Sequence, residues 1–182
     1  LLLQPADLRE QARQFGRIVL FIEKQGALRS RVMAPAEIAA WLRERGQALD
    51  TLTLGNNFAT EELARFFNTA LLQGEPLGAP EQALLDDLLR WGLLLPGEAG
   101  RGWTTAAGWH TVLTVPRVSA PADCARCAID AGLRQALLAH EFGHAEFGAS
   151  LWVQHHARWF WFNQLSPIAR SQWLRFLAQR GY

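Results

Sequence analysis

The sequence predicts a mostly helical α+β fold with a small β-sheet, and three observations carry that prediction. Helix start and stop signals recur through the first half, from Pro35 and Gly46 to Pro80 and Gly92. One β-branched run, 109–115, ends at Pro116 and reads as a strand. Between these textures lies a loop of chain breakers, Pro96-Gly97-Glu98-Ala99-Gly100-Arg101-Gly102. With 182 residues and 49% apolar content the chain can bury a core as one domain, 1–182. The loop would divide it into a helical part, 1–95, and a second part, 103–182.

The elements follow in order. Residues 7–16 read as helix, and Ile18-Val19-Leu20-Phe21-Ile22 is either a strand or the continuation of that helix, which length alone does not decide. Pro35 starts a helix over 36–45 that sets Ile38, Trp41 and Leu42 on one face. Thr60-Glu61-Glu62 opens 63–72, with Phe66, Phe67 and Leu71 on one side, and Pro80 opens 81–91. The strand 109–115 is expected to pair with 102–105. Asp123 is expected to cap a long helix over 124–147, a second helix over 151–163 follows Gly148, and Ser166-Pro167 caps a third that stops at Gly181.

Composition excludes several function classes. Lys plus Arg total 18 against 17 Asp plus Glu, a net charge of +1, and no run of five like charges exists, so neither a nucleic-acid arm nor an acidic tail is indicated. Strongly apolar runs such as 18–22 and 93–95 fall far short of the roughly 18 residues that span a bilayer, so a soluble chain without a membrane span is expected. Two cysteines cannot build a disulfide framework or a four-cysteine zinc site. The chain starts at Leu1 without Met, as a processed product would, and together with Cys124-Ala-Arg-Cys127 this leans toward export, periplasmic or secreted, over the cytoplasm. Of the eight tryptophans, five lie between Trp103 and Trp161.

Within the long helix stands His140-Glu141-Phe142-Gly143-His144, an HExxH sequence. Histidines four residues apart lie one above the other on a helix and can bind one Zn2+ through ring nitrogens. The glutamate between them is turned about a quarter of the circumference, so it reaches a water on the metal as general base, and that water attacks a peptide carbonyl. Ile129, Leu133, Leu137, His140 and His144 fall on one stripe, which predicts that both imidazoles face inward. The Glu-x-x-His read from Glu141 has no second copy, so a di-iron bundle is excluded.

Such a zinc needs a third protein ligand. No Asp or Glu follows Glu146, and Glu146 itself points to the far side of the helix, so a later glutamate ligand is excluded within this chain. The metzincin pattern would need Gly and His where Phe147 and Ser150 stand. His155 and His156 remain, with His110 as an outsider.

The segment 140–144 resembles the active-site helix of zincin metallopeptidases, where Gly before the second His is common. His156-Ala-Arg-Trp-Phe160-Trp161 is similar to the HxxxFW segment of SprT-like and minigluzincin peptidases, whose third ligand is that His. The similarity covers about 136–161. It implies a zincin-like metallopeptidase core behind an N-terminal helical segment, acting on a peptide or protein substrate, with His156 as third ligand and His155 as its alternative. In zincins the strand ahead of the active helix pairs with extended substrate, which would give Trp109, His110 and Val112 that part. The zinc ribbon that often follows an SprT-like core has no counterpart here, so DNA-linked function is not carried over. Whichever of His155 and His156 is not a ligand, or His110, is the candidate oxyanion donor, since Tyr182 is the only tyrosine.

Cys124 and Cys127 have four readings: a local disulfide, two thiols in a reducing compartment, a redox-active pair, or a second zinc site completed by His110. The functional readings are also more than one. A zinc metallopeptidase stands first, a zinc-stabilised, non-catalytic binding module on the same scaffold second, and a metal-free helical domain third.

Overall fold

The computed structural model describes residues 1–23, 31–49, 52–108 and 110–179. Helices dominate: α1 (Leu8–Glu23), α2 (Pro35–Glu44), α3 (Thr60–Gln73), α4 (Ala79–Arg90), α5 (Ala131–Ala149), α6 (Leu151–Trp159) and α7 (Pro167–Gln179). The strands β1 (Leu2–Leu3), β2 (Asn56–Ala59) and β5 (Thr111–Thr114) form a mixed sheet in the order β1-β5-β2, while β3 (Leu94–Pro96) and β4 (Trp103–Thr105) make a separate antiparallel pair. The chain divides into two compact units, Leu1–Phe142 and Gly143–Tyr182.

The first unit is built around α1. Its run Ile18–Ile22 is helix, the continuation of 7–16, and every residue of that run is buried. A helix passing through the middle of a core is apolar all round, so no periodicity is left to separate it from a strand. Phe15 packs on Phe58 of β2, and Phe21, Phe66, Phe67 and Trp103 form a chain of edge-on ring contacts with centroids 5.3–6.1 Å apart.

Helices α2, α3 and α4 share one device at their starts. Their N-cap residues are Ala34, Ala59 and Gly78, which have no capping side chain, so the third helical residue reaches back instead. Glu37, Glu62 and Glu81 each accept a hydrogen bond from the N-cap backbone N–H, at 2.8, 3.4 and 2.8 Å. Glu81 is buried, and desolvation raises its carboxyl pKa although Arg17 Nε lies 3.1 Å away.

The pairing expected between 102–105 and the strand at 111–114 does not form. Residues 97–102 turn the chain back so that β4 pairs with β3, in register Leu94–Thr105 and Pro96–Trp103. The Asn68 side chain of α3 reinforces this, donating to Trp103 O and accepting from Trp103 N, both at 2.8 Å. The breaker loop is thus the turn of a hairpin inside the first unit. Strand β5 is instead the middle strand, parallel to β1 and antiparallel to β2 with Asn56 opposite Thr114 and Ala59 opposite Thr111.

The second unit is helical. After α5, Ser150 caps α6 by accepting from Val153 N at 3.3 Å. Phe160–Gln164 forms a wide π turn where a plain helix to 163 is expected. Arg170 of α7 donates to Trp161 O and Phe162 O, at 3.2 and 2.9 Å, which satisfies carbonyls at that turn. Ser166 caps α7. The expected stop at Gly181 lies outside the described residues.

Candidate active site

The helix that carries HExxH starts later than expected. Asp130 caps it, its Oδ1 accepting from Leu133 N at 2.7 Å, whereas Asp123 pairs with Arg9 at 2.8 Å. Residues Cys124 and Cys127 flank a 3-10 turn ahead of the helix and form a disulfide, the first of their four readings. They therefore do not sit in the first turn of α5. Ser119 and Ile129 exchange backbone hydrogen bonds at 2.9 Å on either side of this turn, and Cys127, Ile129 and Leu8 form a small core on which Leu137 of α5 rests. Arg134 donates to Pro116 O and Gln4 Oε1, at 3.2 and 2.7 Å, and so ties the start of α5 to the loop after β5 and to the segment after β1.

The face of α5 turned inward differs from the one expected. Both His140 and His144 are exposed, and the sole buried side chain of the helix is Glu141, 5% exposed. Within the first unit the inward line runs through Arg134, Leu137 and Glu141, all buried or half-buried. The reason lies in the motif: His140 and Glu141 are about 100° apart around the helix, and His144 follows His140. Only one of the two faces can pack, and here it is the glutamate's.

Glu141 faces the start of β2. A Cβ on Gly55 would stand 2.8 Å from Glu141 Oε1 and 3.2 Å from its Cγ, so a side chain there would push the glutamate out of its seat. The Gly55 backbone is held by a buried polar cluster: the Thr53 hydroxyl lies within bonding distance of Gly55 O and Asn56 Oδ1, and Asn56 Nδ2 donates to Thr114 Oγ1 at 2.7 Å. On the opposite side of the strand Asn57 Nδ2 donates to Glu141 O at 3.1 Å, and the Thr111 hydroxyl reaches Asn57 Oδ1 at 2.6 Å. Two successive asparagines thus bind in two directions, one to the neighbouring strand and one to the motif helix. Burial, and then the charge of Glu23, push the Glu141 carboxyl up to about 7. A carboxyl in that range exchanges protons readily near neutrality.

The substrate residues expected on the strand before α5 are placed elsewhere. Val112 is 0% exposed, inside the main core, and cannot touch a substrate. Its strand is flanked on both sides and offers no edge. His110 is half-buried, its Nε2–H donating to Ala107 O at 3.1 Å, and its carbonyl accepts from Thr60 N at 3.1 Å. It stands at the far end of the β2–β5 pair from Gly55, roughly 15 Å along the strand. Trp109 and Tyr182 lie outside the described residues.

In the second unit, His156 stacks between Trp152 and Trp159 on α6, with centroids 5.3 and 5.8 Å apart. His155 is exposed beside it. Among the described residues no three His, Cys, Asp or Glu side chains converge as a metal ion needs. The donor chemistry of His140 and His144, two imidazoles four residues apart on one helix, fits zinc as two of its ligands.

No family model matches the chain, and no curated protein or solved structure matches it. Gly55, Asn57, Thr111 and Glu23 escape sequence reading. The one signal, for Gly55 and Asn57 alone, is the Gly55-Asn56-Asn57 step between Leu54 and Phe58.

Proposed function

We propose that this chain is a zinc-dependent peptide hydrolase of the HExxH type with a zincin-like core. The observation that carries this reading is the motif's setting: one continuous helix holds His140 and His144 on an exposed face while Glu141 is seated against Gly55. His140 and His144 would hold the ion, with His156 as third ligand after it leaves the two tryptophans, and His155 as its alternative. Zinc, when bound, supplies Lewis-acid polarisation of a peptide carbonyl and of water.

Glu141 takes the proton of the attacking water on its carboxylate and returns it to the amide nitrogen as the C–N bond breaks. Asn57 keeps the Glu141 turn in register with the sheet. Since β5 is internal, the strand open to an extended peptide next to Glu141 is β2, an edge strand among the described residues, and an incoming backbone would pair along Asn56–Ala59.

The experiment is metal content measured beside cleavage of an unfolded protein. Glu141→Gln should keep zinc and lose about 10²–10⁴-fold in rate. His140→Ala and His144→Ala should each lose the metal. His156→Ala should do so as well, while His155→Ala retains it. Full activity in Glu141→Gln, or purified chain that takes up no zinc, refutes the reading.

A further inference from the structure

The last 36 residues, 147–182, hold Arg158, Arg170, Arg175 and Arg180 and no Asp or Glu, whereas all 17 acidic residues lie in 1–146. The same stretch is rich in aromatic residues and has no core: α6, the π turn and α7 bury no side chain. Leu151, Trp152, Phe162 and Ile168 are two-thirds or more exposed, and Trp159, Phe160, Trp173 and Phe176 about half. Isolated exposed apolar residues are ordinary, but eight of them in one short cationic segment form a surface that calls for a partner.

Two observations name that partner. The backbone of the segment is satisfied internally, by the Ser150 and Ser166 caps and by Arg170 at the π turn, so it needs a medium that takes apolar area and offers no backbone bonds. Its charge is of one sign, so the medium must be anionic at its rim. A second copy of the chain would set arginines against arginines with no carboxylate of this segment to answer them. Tryptophan and arginine beside aliphatic residues suit the boundary between lipid headgroups and acyl chains. Among the described residues no helix is long and apolar enough to cross a membrane, so the helices would lie in its plane.

We infer that residues 151–179 form an in-plane docking surface for anionic lipid. The test uses the full chain with vesicles of phosphatidylcholine alone and of phosphatidylcholine with about 30% phosphatidylserine, followed by co-sedimentation and tryptophan emission. Binding to the anionic vesicles should be at least about tenfold tighter, shift emission to the blue, and weaken as salt rises. Arg158→Gln with Arg175→Gln should cost roughly fivefold per arginine on anionic vesicles only. Trp152→Ala with Phe162→Ala should weaken binding to both vesicle types, and Leu72→Ser, an exposed change on α3, should alter neither. No co-sedimentation, equal binding to both vesicles, or a dimer at sedimentation equilibrium that excludes vesicles overturns the inference. An equal loss in Leu72→Ser would also overturn it.

Discussion

Helix α1 and helix α7 have comparable lengths and opposite fates. Ten of the 16 residues of α1 are buried, and none of the 13 residues of α7 is, although α7 carries Ile168, Trp173, Leu174 and Phe176. Apolar content therefore does not make a core. In the first unit the ring contacts join different elements, Phe15 of α1 with Phe58 of β2, Phe21 of α1 edge-on with Phe66 of α3, and Phe67 of α3 edge-on with Trp103 of β4, so that each element covers the rings of another. In the second unit the ring contacts are between neighbours on the same helix, Trp152 with His156 and Trp173 with Phe176, and such pairs leave their outer faces uncovered.

The sharpest way to break this contrast is a matched pair of truncations. Phe67→Ala should cost about 3–5 kcal/mol in urea unfolding, because it opens a cavity between Phe66 and Trp103. Phe162→Ala should stay within about 0.5 kcal/mol. A large loss at Phe162 would mean that the second unit has a core after all.

Glu141 gives the next largest effect. Its folded carboxyl holds a proton up to about pH 7, whereas the unfolded chain releases it near 4.5. The folded state is thus favoured fully below pH 4.5, and that contribution is lost as pH rises to 7. Glu141→Gln should flatten the fall in stability over this window and gain up to about 3 kcal/mol on the wild type above it, read from unfolding midpoints across pH. An unchanged slope would place the carboxyl in water.

Two glycines sharpen the comparison further. Gly55→Ala drives a Cβ against Glu141 and should cost about 1–3 kcal/mol, while Gly143, with open space around its Cβ position, should gain up to about 1 kcal/mol as alanine. Thermal melts of both variants test this. A further change lies ahead of α5. Cys124→Ser opens a disulfide of sequence separation 3, and a loop so short restrains the unfolded chain little, so about 1–2 kcal/mol is expected from denaturant titration, with no effect on metal content.

Much of the helical framework is legible in the sequence, because Pro35, Thr60 and Pro80 mark starts that the structure uses within a few residues. The sheet is less so. Strand β2 is four residues long and opens with two asparagines, whose bonds to Thr114 and to Glu141 O are formed over separations of 58 and 84 residues. No local pattern records such partners. The HExxH segment is legible as a helix but not in its orientation. The stripe through Leu137 continues equally well to His140 or to Glu141, and what tips it is the missing Cβ of Gly55. The disulfide was one of several readings of Cys124 and Cys127, since two cysteines three apart fit a helix turn as well as the 3-10 turn that closes them.

The order of the three-stranded sheet also sets a timetable for synthesis. Strands β1 and β2 do not touch each other, and both wait for β5, whose residues 111–114 are made last of the three. On the ribosome, α1 and α3 can collapse on their aromatic residues early, but the sheet closes only once Thr114 has left the exit tunnel. Because α3 begins at the residue after β2, with no loop between them, the nascent helix arrives with its strand already aimed. The last strand thus completes the seat for Glu141 shortly before the motif helix itself emerges to occupy it.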